Sequence, residues 1–144
     1  MGQTQETYQT ATLEILTQFQ LLEQALKMYI SAAYEVIGAR VKGLLPFHYG
    51  GVDVESFPLE RLISTFAKVN DNRDLISRLN KLPKKRNEVA HKSLLIAWGG
   101  YQDLKKQQSA LDGYRDLISD LGPCLQGVME EIRRLPRPDH GSEA

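Results

Sequence analysis

Over the first forty residues, apolar positions recur at alternating steps of three and four. Thr12, Ile15, Phe19, Leu22, Leu26, Tyr29, Ala33 and Val36 make up the series. At ~3.6 residues per turn, such positions stack on one helical face. Polar residues, among them Gln3, Gln5, Glu6, Gln9, Gln18, Gln20 and Glu23, mostly fill the other faces. The pattern predicts one long helix from about Thr4 to Lys42, with no proline before Pro46.

The period then breaks. Gly43, Pro46, Gly50, Gly51 and Pro58 predict a long loop, since glycine and proline punctuate regular structure. Leu44, Leu45, Phe47 and Tyr49 make that loop apolar, so it is expected to fold back over the core. A second helix is predicted from near Pro58, with Ser56 as N-cap and Leu59, Leu62, Ile63 and Phe66 inward. A third begins near Asp71 and turns Leu75, Ile76 and Leu79 inward. Pro83 interrupts it, because proline lacks the N–H that a helix interior needs. A new helix should open there, carry Arg86 to His91 in its first two turns, and close at Gly99-Gly100.

The last long pattern runs from Tyr101 to Leu135. Leu104, Leu111, Ile118, Leu125 and Ile132 fall seven apart, and Tyr114, Leu121, Val128 and Leu135 form a second seam. The phase survives Gly122-Pro123, which predicts a kink and not a break. No strand-like alternation and no internal repeat is seen. The expected fold is therefore an all-α bundle: two long antiparallel helices, shorter helices between them, and a long loop after the first. The domain is expected over 1–136, with 137–144 a polar, disordered tail.

Composition narrows the function classes. With 42% hydrophobic and 25% charged residues, the chain resembles an ordinary soluble domain. Its 18 basic and 18 acidic residues cancel, so nucleic acid would have to bind a local patch. The lone Cys124 makes no internal disulfide and suits a reducing cytosol. The segment Met1 to Tyr8 lacks a basic leader, and no apolar run approaches the ~18 residues of a membrane span. A cytoplasmic location without membrane contact is expected.

One stretch is chemically loaded. Between Arg73 and Lys92, seven basic residues (Arg73, Arg78, Lys81, Lys84, Lys85, Arg86, Lys92) face two acids, Asp74 and Glu88. This surplus of five falls where a helix is predicted to start, and helix starts attract phosphate. Lys81, Lys84, Lys85 and Lys92 are the candidate phosphate or RNA contacts. The plain alternative is a solvated lysine surface. Arg86 and His91 add reactive chemistry. Histidine moves protons near neutral pH, and arginine holds phosphate bidentately and stabilises developing charge. Such a pair could cleave RNA with no metal and no cofactor. Residues four apart share a helical face, so Asn87 and His91 point together. Arg86 lies about 140° round the helix from His91. A two-fold axis would supply the missing group from a second copy, so this chemistry calls for a homodimer.

Arg86-Asn87-Glu88-Val89-Ala90-His91, opening a helix in an all-α chain of this size, resembles the RNase motif of HEPN domains. That motif is an arginine, a polar residue, a few more residues and then a histidine. The resemblance covers the architecture of the whole chain but only six residues of motif. It implies a metal-independent endoribonuclease acting as a homodimer, with Arg86, Asn87 and His91 of both subunits lining a cleft. It also implies settings such as toxin–antitoxin pairs, with an antitoxin protein as partner, and antiviral defence. Other family members are inactive binding or scaffold modules. Some toxins carry a tyrosine two residues after the histidine, which the antitoxin modifies. Ser93 stands there in this chain, so the resemblance does not carry that regulation over.

Three readings follow. One is a dimeric ribonuclease. Another is a non-catalytic module in which Asn87 and His91 tie helices together and Arg86 forms a structural ion pair. The last is a plain dimerisation bundle built on the heptad helix. Several other residues are read as structural. His48 and Tyr49 belong to a packed loop, Trp98 to the core or an interface, and His140 to the tail. Glu23 and Lys27 read as a helix-supporting pair. Glu35 and Arg40 are candidates to reach the site from the first helix.

Overall fold

A computed structural model describes residues 2–97 and 104–137; for 2–8, 93–97 and 104–110 only the helical backbone is described. Five α-helices follow one another: α1 Gly2–Val41, α2 Leu59–Lys68, α3 Arg73–Leu79, α4 Leu82–Ala97 and α5 Leu104–Arg134. A 3-10 turn, Gly51–Val54, lies between α1 and α2. No strand occurs among the described residues. The chain is an all-α bundle of two long helices with shorter ones between, as its apolar periods predict.

The α1 face is the predicted one. Ile15, Phe19, Leu22, Leu26, Tyr29 and Ala33 are buried, together with Thr12. Ala25 and Ile30 widen the stripe. Val36 is only half-buried. Leu59, Leu62, Ile63 and Phe66 of α2 and Leu75, Ile76 and Leu79 of α3 complete the core. At Gly127 of α5, an added Cβ would lie 2.8 Å from Leu75 Cδ1, which shows how closely α3 seats against α5.

Four details depart from expectation. First, the two long helices run parallel, not antiparallel. Tyr29 of α1 and Glu131 of α5 meet at Asn70. At lower residue numbers on both, Glu23 meets Arg86 and Asp120 meets Lys85, which are neighbours on α4. Meanwhile α4 runs against α5, with Leu82 near Cys124 and Lys92 near Gly113. The chain goes up α1, descends to the end of α4 and rises again in α5, and an up-down-up path makes its outer passes parallel. Second, the buried stripe of α5 is shifted from the heptad seams. Leu117, Cys124 and Glu131 are buried beside Tyr114, Leu121 and Val128, while Ile118, Leu125 and Ile132 are half-buried. A heptad seam serves one partner helix; α5 packs on both α1 and α3, so its apolar face must be broader.

Third, the loop folds back by fewer residues than expected. Phe47 packs on Tyr34 and Val54 is buried, but Leu44, Leu45 and Tyr49 are exposed. Gly43 adopts φ +85, a left-handed turn after α1 that favours glycine. Fourth, Pro58 itself occupies the N-cap of α2, without a side-chain hydrogen bond, so Ser56 is not the cap. In contrast Asn72 caps α3, accepting from Leu75 N–H. Helix α5 continues through Pro123 without a break. The expectations for Trp98, Gly99-Gly100, His140 and the tail from 138 onward lie outside the described residues.

Candidate functional site

Helix α4 opens with Leu82 and Pro83, where the missing proline N–H costs nothing because a first-turn N–H has no helical partner. Leu82 and Val89 are its buried anchors among the described side chains. They fix the rotation of the helix and thereby the direction of every polar residue on it. At ~100° per residue, three polar faces result.

One face turns toward α5 and holds Lys81, Lys85, Glu88 and Lys92. Lys85 Nζ lies 3.2 Å from Asp120 Oδ2. Two shallow grooves run along this junction. One, of about 270 Å³, is lined by Lys85, Glu88, Val89, Lys92, Gly113, Tyr114, Asp116 and Leu117. The other, of about 340 Å³, is lined by Arg78, Lys81, Leu82, Lys85, Ser119, Asp120, Pro123 and Cys124. Burial pushes the Cys124 thiol above its ordinary pKa, which leaves it a packing residue and not a nucleophile.

The second face turns toward α1 and holds Arg86. Its Nε lies 3.3 Å from Glu23 Oε1, and the two side chains are 39% and 20% exposed. Nε is buried but not aligned on an acceptor, so the contact is coulombic and not a directed hydrogen bond. The third face points to solvent, opposite Leu82. Lys84, Asn87 and His91 lie on it at spacings of three and four, all exposed.

The structure thus brings Lys84, Asn87 and His91 onto one stripe and leaves Arg86 on the flank beside it. The four candidate lysines divide, with Lys84 on the outward stripe and Lys81, Lys85 and Lys92 on the α5 side. The basic surplus also shrinks. Asp120 and Glu23 stand against Lys85 and Arg86, so five becomes three. Arg78 is paired with Asp74 at 3.3 Å. Among the described residues, Arg73, Lys81, Lys84 and Lys92 make no ion pair. Those four, set against Glu88, carry what remains of the patch.

The partner of Arg86 is Glu23, which sequence reading assigned to Lys27; Glu35 and Arg40 lie three or more turns farther along α1. No local signal marks Glu23, since its pairing depends on how α4 crosses α1. A second polar cluster also escaped the sequence. Asn70 Nδ2 donates to Tyr29 Oη (3.0 Å) and to Glu131 Oε1 (3.3 Å). Tyr29 Oη in turn donates to the Val69 carbonyl at 2.8 Å, and Asn70 Oδ1 accepts from Asn72 N–H at 2.8 Å. Burial raises the Tyr29 pKa, against the lowering effect of the Asn70 hydrogen bond.

The chain matches no protein-family model, no curated protein and no solved structure. No helix among the described residues is long and apolar enough to cross a membrane. Among those residues, no three His, Cys, Asp or Glu side chains cluster as metal ligands would.

Proposed function

We propose that the chain is a metal-independent endoribonuclease of HEPN type, acting as a homodimer with a composite site of Arg86, Asn87 and His91. One observation carries the reading: His91 is solvent-exposed, in register with Asn87 and Lys84, while Glu23 holds Arg86 on a separate face of the same helix. An exposed imidazole contributes little to stability, and among the described residues neither Asn87 nor His91 ties helices together. In this reading His91 accepts the 2′-hydroxyl proton as that oxygen attacks phosphorus. The bond from phosphorus to the 5′-oxygen breaks, the leaving oxygen takes a proton from water, and the imidazolium returns its proton to solvent. The products are a 2′,3′-cyclic phosphate and a 5′-hydroxyl. Arg86 offsets the charge that builds on the phosphorane. Lys84 and Lys92 attract the RNA backbone. The expected setting is a toxin or an antiviral-defence factor in the cytoplasm, with an antitoxin protein as partner in the former case.

The second reading, a non-catalytic helical binding module, is favoured by the Arg86–Glu23 pair, which gives Arg86 a structural task. Incubating RNA with the protein in EDTA separates the two. The ribonuclease reading expects cyclic-phosphate ends from wild type, and none from His91→Ala or Arg86→Ala. Equal cleavage by all three, or by none, rejects it.

A further inference from the structure

The outer face of α1, like the loop at Leu44, Leu45, Tyr49 and Val52, exposes large apolar side chains. Leu13, Leu21 and Met28 are 67%, 51% and 56% exposed and fall within about 80° of one another around the helix. On the same face stand Thr10, Thr17, Gln20 and Gln24, exposed, and Ser31, which is half-buried against Gly51 of the 3-10 turn. No charge lies within this stripe, although a quarter of the chain is charged. The stripe runs about 32 Å along the helix. A solvated helix face ordinarily carries lysine and glutamate, and a long neutral stripe with large apolar side chains marks a contact surface.

The stripe is also complementary to itself. Its eight positions form a set that inverts about the midpoint between Gln20 and Leu21. Reversed onto a second copy, Leu13 meets Met28 and Thr17 meets Gln24, while Thr10 falls beside the turn that covers Ser31. Within the stripe, apolar side chains oppose apolar ones and hydroxyls oppose amides; one turn beyond its ends the same register sets position 6 against position 35, both glutamates. A two-fold axis requires this kind of match.

We infer that α1 pairs antiparallel with α1 of a second copy along this stripe, with the dyad between Gln20 and Leu21. The consequence for α4 follows from Glu23, which lies close to that midpoint on the α4 side of α1. A dyad perpendicular to the paired helices keeps equivalent flanks on the same side. Both Glu23–Arg86 pairs, and with them both α4 helices, then border one cleft. The Arg86 and Asn87 flank of each α4 turns toward the partner, because the opposite flank is held against α5. The interface stands on α1 alone, whereas the use of the cleft rests on the ribonuclease reading.

Sedimentation equilibrium of the full chain tests the interface without any activity. Wild type should have twice the mass of the chain. Leu21→Glu sets two carboxylates beside the dyad and should weaken association on the order of a hundredfold or more. Its thermal melt should lose only the dimer contribution. Gln126→Glu, on the exposed side of α5, should remain dimeric. In a Cys124→Ala background, Thr17→Cys and Gln24→Cys should cross-link when mixed, and each alone should not. A monomeric wild type, a dimeric Leu21→Glu, or cross-linking of Thr17→Cys to itself overturns the inference. A dimer that cleaves no RNA rejects the ribonuclease reading and leaves the interface standing. Cleavage by a monomeric wild type overturns the interface and the composite site, and leaves only the cleavage chemistry standing.

Discussion

Two polar clusters of similar composition sit less than a dozen residues apart along α1 and meet opposite fates. Around Tyr29, the Asn70 amide and the Glu131 carboxylate are closed into one network, with Tyr29 and Glu131 buried. Around Glu23, Arg86 is half-exposed and Asn87 and His91 stand in solvent. Burial divides their roles. A buried polar group must find partners or destabilise the fold, so the Tyr29 cluster fixes how α1, the α2–α3 junction and α5 meet. The exposed groups of α4 are under no such demand and are free for binding and proton transfer.

The contrast is most easily broken at Asn70. Asn70→Ala leaves Tyr29 Oη with only the Val69 carbonyl and deprives buried Glu131 of a donor. Denaturant unfolding should show a loss of about 2–3 kcal/mol. A loss under ~0.5 kcal/mol would mean that water replaces the amide without cost. The same network predicts an alkaline effect. Folding raises the Tyr29 pKa, so its contribution is fully present below the unfolded value of about 10 and is lost as pH rises through the folded value. Tyr29→Phe should flatten the part of the stability–pH curve above pH ~10 that belongs to this residue.

Smaller effects are expected at the open cluster. Glu23→Gln removes a partly exposed ion pair and should cost about 1 kcal/mol or less, because solvent screens it. His91→Ala should change the unfolding midpoint by under ~0.5 kcal/mol, as expected for an exposed residue without partners to lose. A drop comparable to that of Asn70→Ala would return His91 to a structural role. Smallest is Lys84→Ala, read as the salt dependence of RNA affinity, where the log–log slope should fall by about 1. An unchanged slope would remove Lys84 from the phosphate path.

These differences also show what the sequence could reveal. Helices α1 to α4 were legible because burial on one face imposes a period of 3.6, and each period survives in the buried residues of Ile15 to Ala33, Leu59 to Phe66 and Leu75 to Leu79. Pro83 marked the start of α4 because proline tolerates only a helix's first turn. The sense in which α1 and α5 run was not legible, because a seam records which face is buried and not the direction of its neighbour. Glu23 with Arg86 and Tyr29 with Asn70 and Glu131 escaped for a related reason, since pairing across the bundle leaves no local trace. The outward stripe of Lys84, Asn87 and His91 was half-visible. The four-residue spacing joined Asn87 to His91, but only the buried Leu82 and Val89 reveal that this face looks to solvent.

Complementation between two inactive subunits tests the composite site most directly. Arg86→Ala and His91→Ala proteins, each unable to cleave RNA in EDTA, are mixed, dissociated and allowed to re-form dimers. A mixed dimer holds one site with Arg86 from one copy and His91 from the other, so roughly a quarter of wild-type cleavage should return. No recovery, in a sample whose mixed dimers are verified by mass, would contradict a site shared across the two-fold axis.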